Sequence, residues 1–301
     1  VPQADPVIVL GAGAIGSVYA VKLSARHPVT VVARRDHIDA IAAAGLQLIG
    51  RETITARVDA VTQIRSIAPR TVIVLTTKVN ASEAALRPIA ALVRDDTVIV
   101  CVQNGLDSEG IARRAVGGRG IVLRAITQFG AIFQSPGVIN FTASGYTLVE
   151  DGPRSAGIAE MLTACGLDGR VSPDIKTEIW RKLIYNCVIN PITAIVGTDV
   201  GGIADARLDP LKQLVIDECL AVARSEGVHF DVDFLATIAS VFGPSRTIAS
   251  MRQDLMRGRP TEIDHLNGAV ADLGRRAGID CPANASLTAI IKAMDRCTMA
   301  S

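Results

Sequence analysis

Lys182, Asn186 and Asn190 recur every four residues within Trp180-Arg-Lys-Leu-Ile-Tyr-Asn-Cys-Val-Ile-Asn-Pro191. Residues four apart stack on one face of an α-helix. Around them Ile179, Trp180, Leu183, Ile184, Val188, Ile189 and Ile192 leave few directions solvated, so the helix is expected to be buried with one polar ridge. A buried ammonium beside two carboxamides suits a pocket wall, where it can deliver a proton and a positive charge to an oxygen that is turning negative. The plainer alternative is that Lys182 snorkels to solvent and the asparagines bond nearby backbone. Three such residues in register favour the pocket. Pro191 donates no N–H and clashes with the preceding turn, so a kink there should free a carbonyl close to Asn190.

A second chemical signature lies near the start. The β-branched run Pro6–Leu10 passes into Gly11-Ala12-Gly13-Ala14-Ile15-Gly16 and then into a helical pattern. In that strand-to-helix context the first glycine permits the tight turn, the second lets a pyrophosphate approach the backbone, and the third lets helix and strand pack closely. A Gly-rich turn without ligand is the alternative, and the flanks argue against it. The second strand, Val29–Ala33, ends in Arg34-Arg35, where an NAD-binding chain usually places an acid. Guanidinium groups pair bidentately with phosphate, so Arg34 there favours the 2′-phosphate of NADP, although Asp36 follows closely. Two further polar loops, Thr76-Thr-Lys78 and Gln103-Asn104-Gly105, follow the strands Val72–Thr76 and Val98–Val102, at the strand ends where ligands of such sheets bind.

Strands alternating with helical stretches near 36–44, 80–94 and 107–115 imply a doubly wound, Rossmann-type parallel sheet. After Val122 come shorter Thr- and Gly-containing runs, Ile121–Thr127, Ala131–Phe133, Gly137–Phe141 and Tyr146–Glu150, which read as added strands, antiparallel in part. Ser172-Pro-Asp174 marks a boundary, and the sequence beyond it is helical almost throughout. The expected fold is therefore α/β: a dinucleotide-binding domain over 1–173 and an all-helical catalytic domain over 174–301, with substrate held between them.

Bulk properties set limits on partners. In 301 residues the formal charge is +1 and charged residues make up 20%, which gives no electrostatic footprint for nucleic acid or an anionic membrane surface. No run of about 18 apolar residues occurs, and Val1–Pro6 has no basic and apolar leader pattern, so a cytoplasmic location is expected. Cysteines 101, 165, 187, 219, 281 and 297 are scattered without zinc-ligand spacing, as are the four histidines, so no metal is expected.

Taken together, these motifs resemble the ketopantoate reductase (2-dehydropantoate 2-reductase) family over nearly the whole chain. The most specific pieces are Trp180–Ala194 and Arg259-Pro-Thr-Glu-Ile-Asp-His-Leu-Asn-Gly268, with Ser250-Met251 twelve residues before Glu262. The resemblance implies NADPH-dependent reduction of a branched 2-keto acid to its (R)-2-hydroxy acid, a step feeding pantothenate and coenzyme A synthesis. It implies Lys182 as general acid, Glu262 as a residue that binds and orients substrate, and Asn104, Asn186, Asn190 and Ser250 as hydrogen-bonding members of the pocket. It also implies cofactor contacts from Gly11 to Gly16, Arg34, Lys78 and Asn104. Read from the residues alone, Glu262 could instead sit in a first helical turn favoured by the helix dipole, and Ser250 at a helix end. Two departures stand out: Gln103 stands where some members have histidine, and Thr198-Asp-Val-Gly-Gly202 replaces a turn that often contains Asn-Gly-Glu. The rival readings are a D-2-hydroxyacid dehydrogenase of the same family acting on another C3-branched keto acid and, from a different class, a non-catalytic NADP-binding sensor. A homodimer is open to the chain, and the family also includes monomers.

Overall fold

In a computed structural model, residues 4–299 are described, with side chains up to Arg296, so Cys297 lies outside the described side chains. The chain divides into two units: Val1–Gln103 with Asp107–Ile175, and Asn104–Leu106 with Lys176–Ser301.

The first unit is built on an eight-stranded sheet. Its strands are β1 (Val7–Leu10), β2 (Val29–Val32), β5 (Asp59–Val61), β6 (Val72–Leu75), β7 (Val98–Cys101), β8 (Ile121–Thr127), β11 (Thr147–Glu150) and β12 (Gly169–Ser172), in the order β12-β11-β8-β7-β6-β1-β2-β5. Only the β8–β11 pairing is antiparallel. Strands β1, β6 and β7 read VIVL, VIVL and VIVC and are buried at every position. Such unbroken apolar runs are what a parallel sheet covered on both faces requires. Alternate residues serve different cores: Val7 and Val9 join one apolar cluster, Ile8 and Leu10 the other.

Helices α1 (Ala14–Leu23), α2 (Arg35–Ala44), α3 (Ser82–Leu86), α4 (Ser108–Ala115) and α5 (Ser155–Ala164) connect these strands. A second sheet of β3 (Leu46–Gly50), β4 (Ile54–Ala56), β9 (Gly130–Ser135) and β10 (Val138–Ala143) has the order β4-β3-β10-β9. Of the expected added strands, β8 turns out to belong to the main parallel sheet, whereas β9 and β10 form a hairpin in the second.

The second unit is helical: α6 (Ile175–Val196), α7 (Asp209–Ser225), α8 (Phe234–Thr237), α9 (Ser250–Met256), α10 (Asn267–Ala277) and α11 (Pro282–Met299). Its core gathers Trp180, Leu183, Ile184, Val188 and Ile192 of α6 with Val215, Val222, Val270 and Ile291. No described helix is long and apolar enough to cross a membrane.

Set beside the expected division at 173/174, the break falls after Ile175, and three residues of the first half belong to the helical unit. The physical reason is local. Gly105 adopts φ +84°, and a Cβ there would stand 2.8 Å from the His265 carbonyl oxygen. Leu106 packs against the helical core. The chain therefore leaves the sheet unit for three residues and returns to it at Asp107.

Candidate active site

In the helical unit, α6 holds Lys182 and Asn186 half-buried and Asn190 buried, on one face by their spacing. The ridge expected from the sequence exists, flanked by buried Leu183, Ile184, Cys187 and Val188. The helix does not end at Pro191 and runs on to Val196. The carbonyl that Pro191 releases is that of Cys187, four residues back. It accepts a hydrogen bond from Asn267 Nδ2 at 3.0 Å, which offsets part of the roughly 3 kcal/mol that an interior proline costs.

Asn104, delivered by the three-residue excursion, donates from Nδ2 to Glu262 Oε2 at 3.5 Å. Glu262 does not open an α-helical turn; it precedes the short 3₁₀ turn Ile263–His265, and α10 starts only at Asn267. The structure thus brings together Asn104 and Glu262, two residues 158 positions apart in sequence. Ser250 is the first residue of α9 and is exposed, with no hydrogen bond to either of them. In the divergent segment Thr198–Gly202, Asp199 accepts from Gly202 N at 3.1 Å. A Cβ on Gly201 would fall 2.6 Å from Gly243 O. Its glycines therefore have a packing role.

In the sheet unit the Gly-rich turn is held by hydrogen bonds with Val32 and Thr76. Gly11 N and Ala12 N donate to Val32 O at 3.3 and 3.1 Å, and Thr76 Oγ1 donates to Gly11 O at 2.7 Å. Gly11 sits at φ +107°, and a Cβ there would come within 2.7 Å of Thr77 N. On Gly16 a Cβ would meet Gly11 O and Thr76 Oγ1. Gly13 is different. Its backbone is ordinary extended (φ −76°, ψ −162°), a Cβ there would meet nothing within 4 Å, and the residue is exposed. Nothing among the described residues requires glycine at 13. A ligand lying against the backbone would, and α1 starts there with no side-chain cap and no acid in its first turn. An uncapped helix N-terminus of this kind suits a pyrophosphate, so the residues present fit a dinucleotide.

Arg34 is exposed at the N-cap of α2, and Arg35 is its first helical residue. Arg35, with Arg65, Thr62 and Gln63, lines a cavity of about 490 Å3 beside Ile8 and Thr30. Lys78 follows β6 half-buried. Gln103 is anchored in the sheet unit, its Nε2 donating to Ser82 Oγ at 2.5 Å and to Thr77 Oγ1 at 3.3 Å.

Sequence reasoning did not single out His37. It is buried, and its Nδ1 accepts from Gly137 N–H at 2.9 Å, which leaves Nε2–H to face Ser17 Oγ at 3.4 Å. Burial, the largest influence, lowers its pKa; Asp36 opposes the shift and Arg34 adds to it. The described cysteines are buried and free. Burial is also the leading cause that pushes the Cys101 thiol up to about 12 and the Cys281 thiol to about 11, so neither supplies a thiolate nucleophile near neutrality. Among the described residues no group of three His, Cys, Asp or Glu side chains could hold a metal ion.

Sequence profiles decide the family. That described as ketopantoate reductase PanE/ApbA matches residues 7–154, and its partner, ketopantoate reductase PanE/ApbA C terminal, matches 174–295. The chain belongs to the ketopantoate reductase family. A 2-dehydropantoate 2-reductase of Mesorhizobium japonicum is 34% identical over 317 residues, covering 95% of this chain and 96% of that relative. Another, from Pyrococcus horikoshii, is 33% identical over 297 residues, with 96% and 97% covered. Among solved structures, a PanE/ApbA family ketopantoate reductase from Ralstonia eutropha superposes with a TM-score of 0.88 at 28% identity, covering 97% and 99% of the two chains. A D-mandelate dehydrogenase bound to NADH and anilino(oxo)acetate gives 0.90 at 26% identity, with the same coverage. Ketopantoate reductases and a dehydrogenase of an aromatic 2-hydroxy acid thus share this fold.

Proposed function

We propose that this chain is an NADPH-dependent 2-dehydropantoate 2-reductase, converting ketopantoate to (R)-pantoate for pantothenate and coenzyme A synthesis. The observation that carries the reading is the polar ridge of Lys182, Asn186 and Asn190 in the same helical unit as the hydrogen-bonded pair Asn104 and Glu262. The reduced nicotinamide, when bound, supplies hydride to the keto carbon. The residues that would hold that cofactor are Gly11, Ala12, Gly13, Ala14, Ile15 and Gly16 at the start of α1, with Arg34 for the 2′-phosphate and with Lys78 and Asn104.

Hydride arrival leaves negative charge growing on the keto oxygen. A general acid must therefore aim a proton and positive charge at that oxygen, and Lys182 supplies both. Glu262, oriented by Asn104, binds and orients the substrate. Asn186, Asn190 and Ser250 provide donors for the substrate carboxylate and carbonyl, which is the role that the exposure of Ser250 leaves open to it.

A D-2-hydroxyacid dehydrogenase acting on another branched or aromatic 2-keto acid is the second reading, favoured by the likeness to D-mandelate dehydrogenase. A related reductase from Staphylococcus aureus is described as dimeric and matches at a TM-score of 0.82 with 18% identity. A homodimer is part of this proposal.

The test is nicotinamide oxidation followed by absorbance with ketopantoate and a panel of 2-keto acids, using NADPH and NADH. Lys182→Ala should lower kcat roughly 10²–10⁴-fold while NADPH binding stays nearly unchanged. A folded Lys182→Ala enzyme that keeps wild-type kcat across the panel would refute the assignment of the ridge. Higher kcat/KM for another keto acid than for ketopantoate would move the reading to the dehydrogenase.

A further inference from the structure

The buried side of α6 carries a polar chain that the proposed reaction does not use. Pro191 deprives the Cys187 carbonyl of its helical donor. Asn267 Nδ2 takes that carbonyl at 3.0 Å and also reaches Asn284 Oδ1 at 2.9 Å. Asn284 Nδ2 donates to Glu218 Oε2 at 2.7 Å. The Glu218 carboxylate also accepts the backbone N–H groups of Ala283 at 2.7 Å and Asn284 at 2.9 Å, at the start of α11. An ionised carboxylate only accepts, so Glu218 turns the Asn284 amide nitrogen toward itself and the Asn284 oxygen inward. Asn267 is then left one orientation, with its amino group toward both acceptors. A directional relay runs from a carboxylate on α7 to a single carbonyl in the polar stretch of α6.

This relay is a poor solution for stability alone. Asn267 and Asn284 are fully buried, and Asn267 Oδ1 has no hydrogen-bond partner among the described residues. A leucine at 267 with an alanine at 191 would carry neither that orphaned oxygen nor the missing donor, and would leave Asn284 Oδ1 to the Cys219 thiol at 3.8 Å. What the arrangement does fix is geometry. Cys187 directly follows Asn186 and precedes Asn190 by three residues, so the bond to its carbonyl sets the helix where both carboxamides project. Asn267 also lies only five residues after Glu262, across the 3₁₀ turn Ile263–His265.

We infer that Asn267 is a positioning residue. By bonding the carbonyl that Pro191 releases, it sets the register of the Lys182, Asn186 and Asn190 ridge against the segment that carries Glu262. The inference rests on the reduction proposed above.

The experiment is a double-mutant cycle in kinetics, comparing wild type, Asn267→Ala, Pro191→Ala and the double variant. Asn267→Ala should lower kcat about 10- to 100-fold, as expected when reacting groups shift by a fraction of an ångström. NADPH affinity should change little, since of the proposed cofactor contacts only Asn104 belongs to the helical unit. Pro191→Ala returns a backbone donor to the Cys187 carbonyl, so in that background the same Asn267→Ala change should cost less than about threefold. A side chain that merely fills space would cost the same in both backgrounds. Equal losses in both backgrounds, or wild-type kcat in Asn267→Ala, would overturn the inference. Where Asn267→Ala does not fold, the double variant decides: kcat within about threefold of Pro191→Ala supports the inference, and an unfolded or inactive double variant overturns it. Wild-type turnover in the same assay tests the proposed reaction separately. With an inactive wild type, the cycle is read from urea midpoints, where additivity of the two substitutions overturns the inference.

Discussion

Gly13 and Gly11 lie two residues apart in one turn, and the structure gives them opposite reasons for being glycine. At Gly13 the backbone is extended and a Cβ meets nothing within 4 Å. Gly13→Ala should therefore leave the free protein intact. Reduced entropy of the unfolded chain contributes about 0.4–1 kcal/mol of stabilisation, and the poorer N-cap character of alanine offsets a few tenths or more of that. The net change should stay within about 0.5 kcal/mol, the range of an ordinary surface substitution. Cofactor binding should suffer instead, because the new methyl occupies the space a pyrophosphate would use. An overpacking cost of about 1–3 kcal/mol corresponds to a Kd weakened roughly 5- to 150-fold. Gly11→Ala should do the reverse to stability: φ +107° and the approach to Thr77 N at 2.7 Å predict a loss of about 2 kcal/mol or more before any ligand is added. Urea unfolding of the free protein and fluorescence titration with NADPH measure the two quantities separately. If Gly13→Ala unfolds at the same urea concentration as Gly11→Ala, or binds NADPH as tightly as wild type, the assignment of Gly13 to the ligand is wrong.

Two further substitutions probe the same unit. Arg34→Glu should weaken NADPH by roughly 30- to 800-fold, from about 2–4 kcal/mol of lost pairing plus repulsion, and should leave NADH nearly unaffected; equal effects on both cofactors, or none, would pass the role to Arg35 and its cavity. His37 has a folded pKa below its unfolded value of 6.5, so the unfolded chain takes up the proton first and the stability contributed by neutral His37 is full above pH 6.5 and lost as pH falls toward the folded pKa. His37→Asn should remove that part of the pH dependence of the urea midpoint; an unchanged profile between pH 6.5 and 5 would show that His37 does not titrate there.

The chemistry-bearing segments were legible because each combines residue type with a strict spacing. The four-residue repeat on α6 and the glycines after β1 stand out from any background, and both are where the sequence places them. The parallel strands were equally plain, since burial on both faces makes them unbroken apolar runs. The first half of the smaller sheet and the edge strand β5 were not, because β4 and β5 are three residues long and β3 shows only the alternation of Leu46 and Leu48. Helix α5 carries no capping side chain, and its N-cap Arg154 sits at φ +71°, so its start had no sequence mark. The fate of the Cys187 carbonyl was beyond local pattern. Pro191 announces that some carbonyl is released, but only the tertiary fold brings Asn267, eighty residues away, to receive it.

The excursion of Asn104–Leu106 into the helical unit has a consequence for how the two halves can be inherited or exchanged. A helical half begun at Lys176 would lack three residues of its own packing, so it is not a free-standing cassette. A chimera between two relatives joined at 175/176 would set Asn104 from one parent against Glu262 and His265 from the other. The close fit of Gly105 against the His265 carbonyl leaves little room for mismatch at that junction. Recombinants in which segment 104–106 travels with the C-terminal parent should therefore fold better than those cut once, because Asn104 meets Glu262 across 158 positions of sequence.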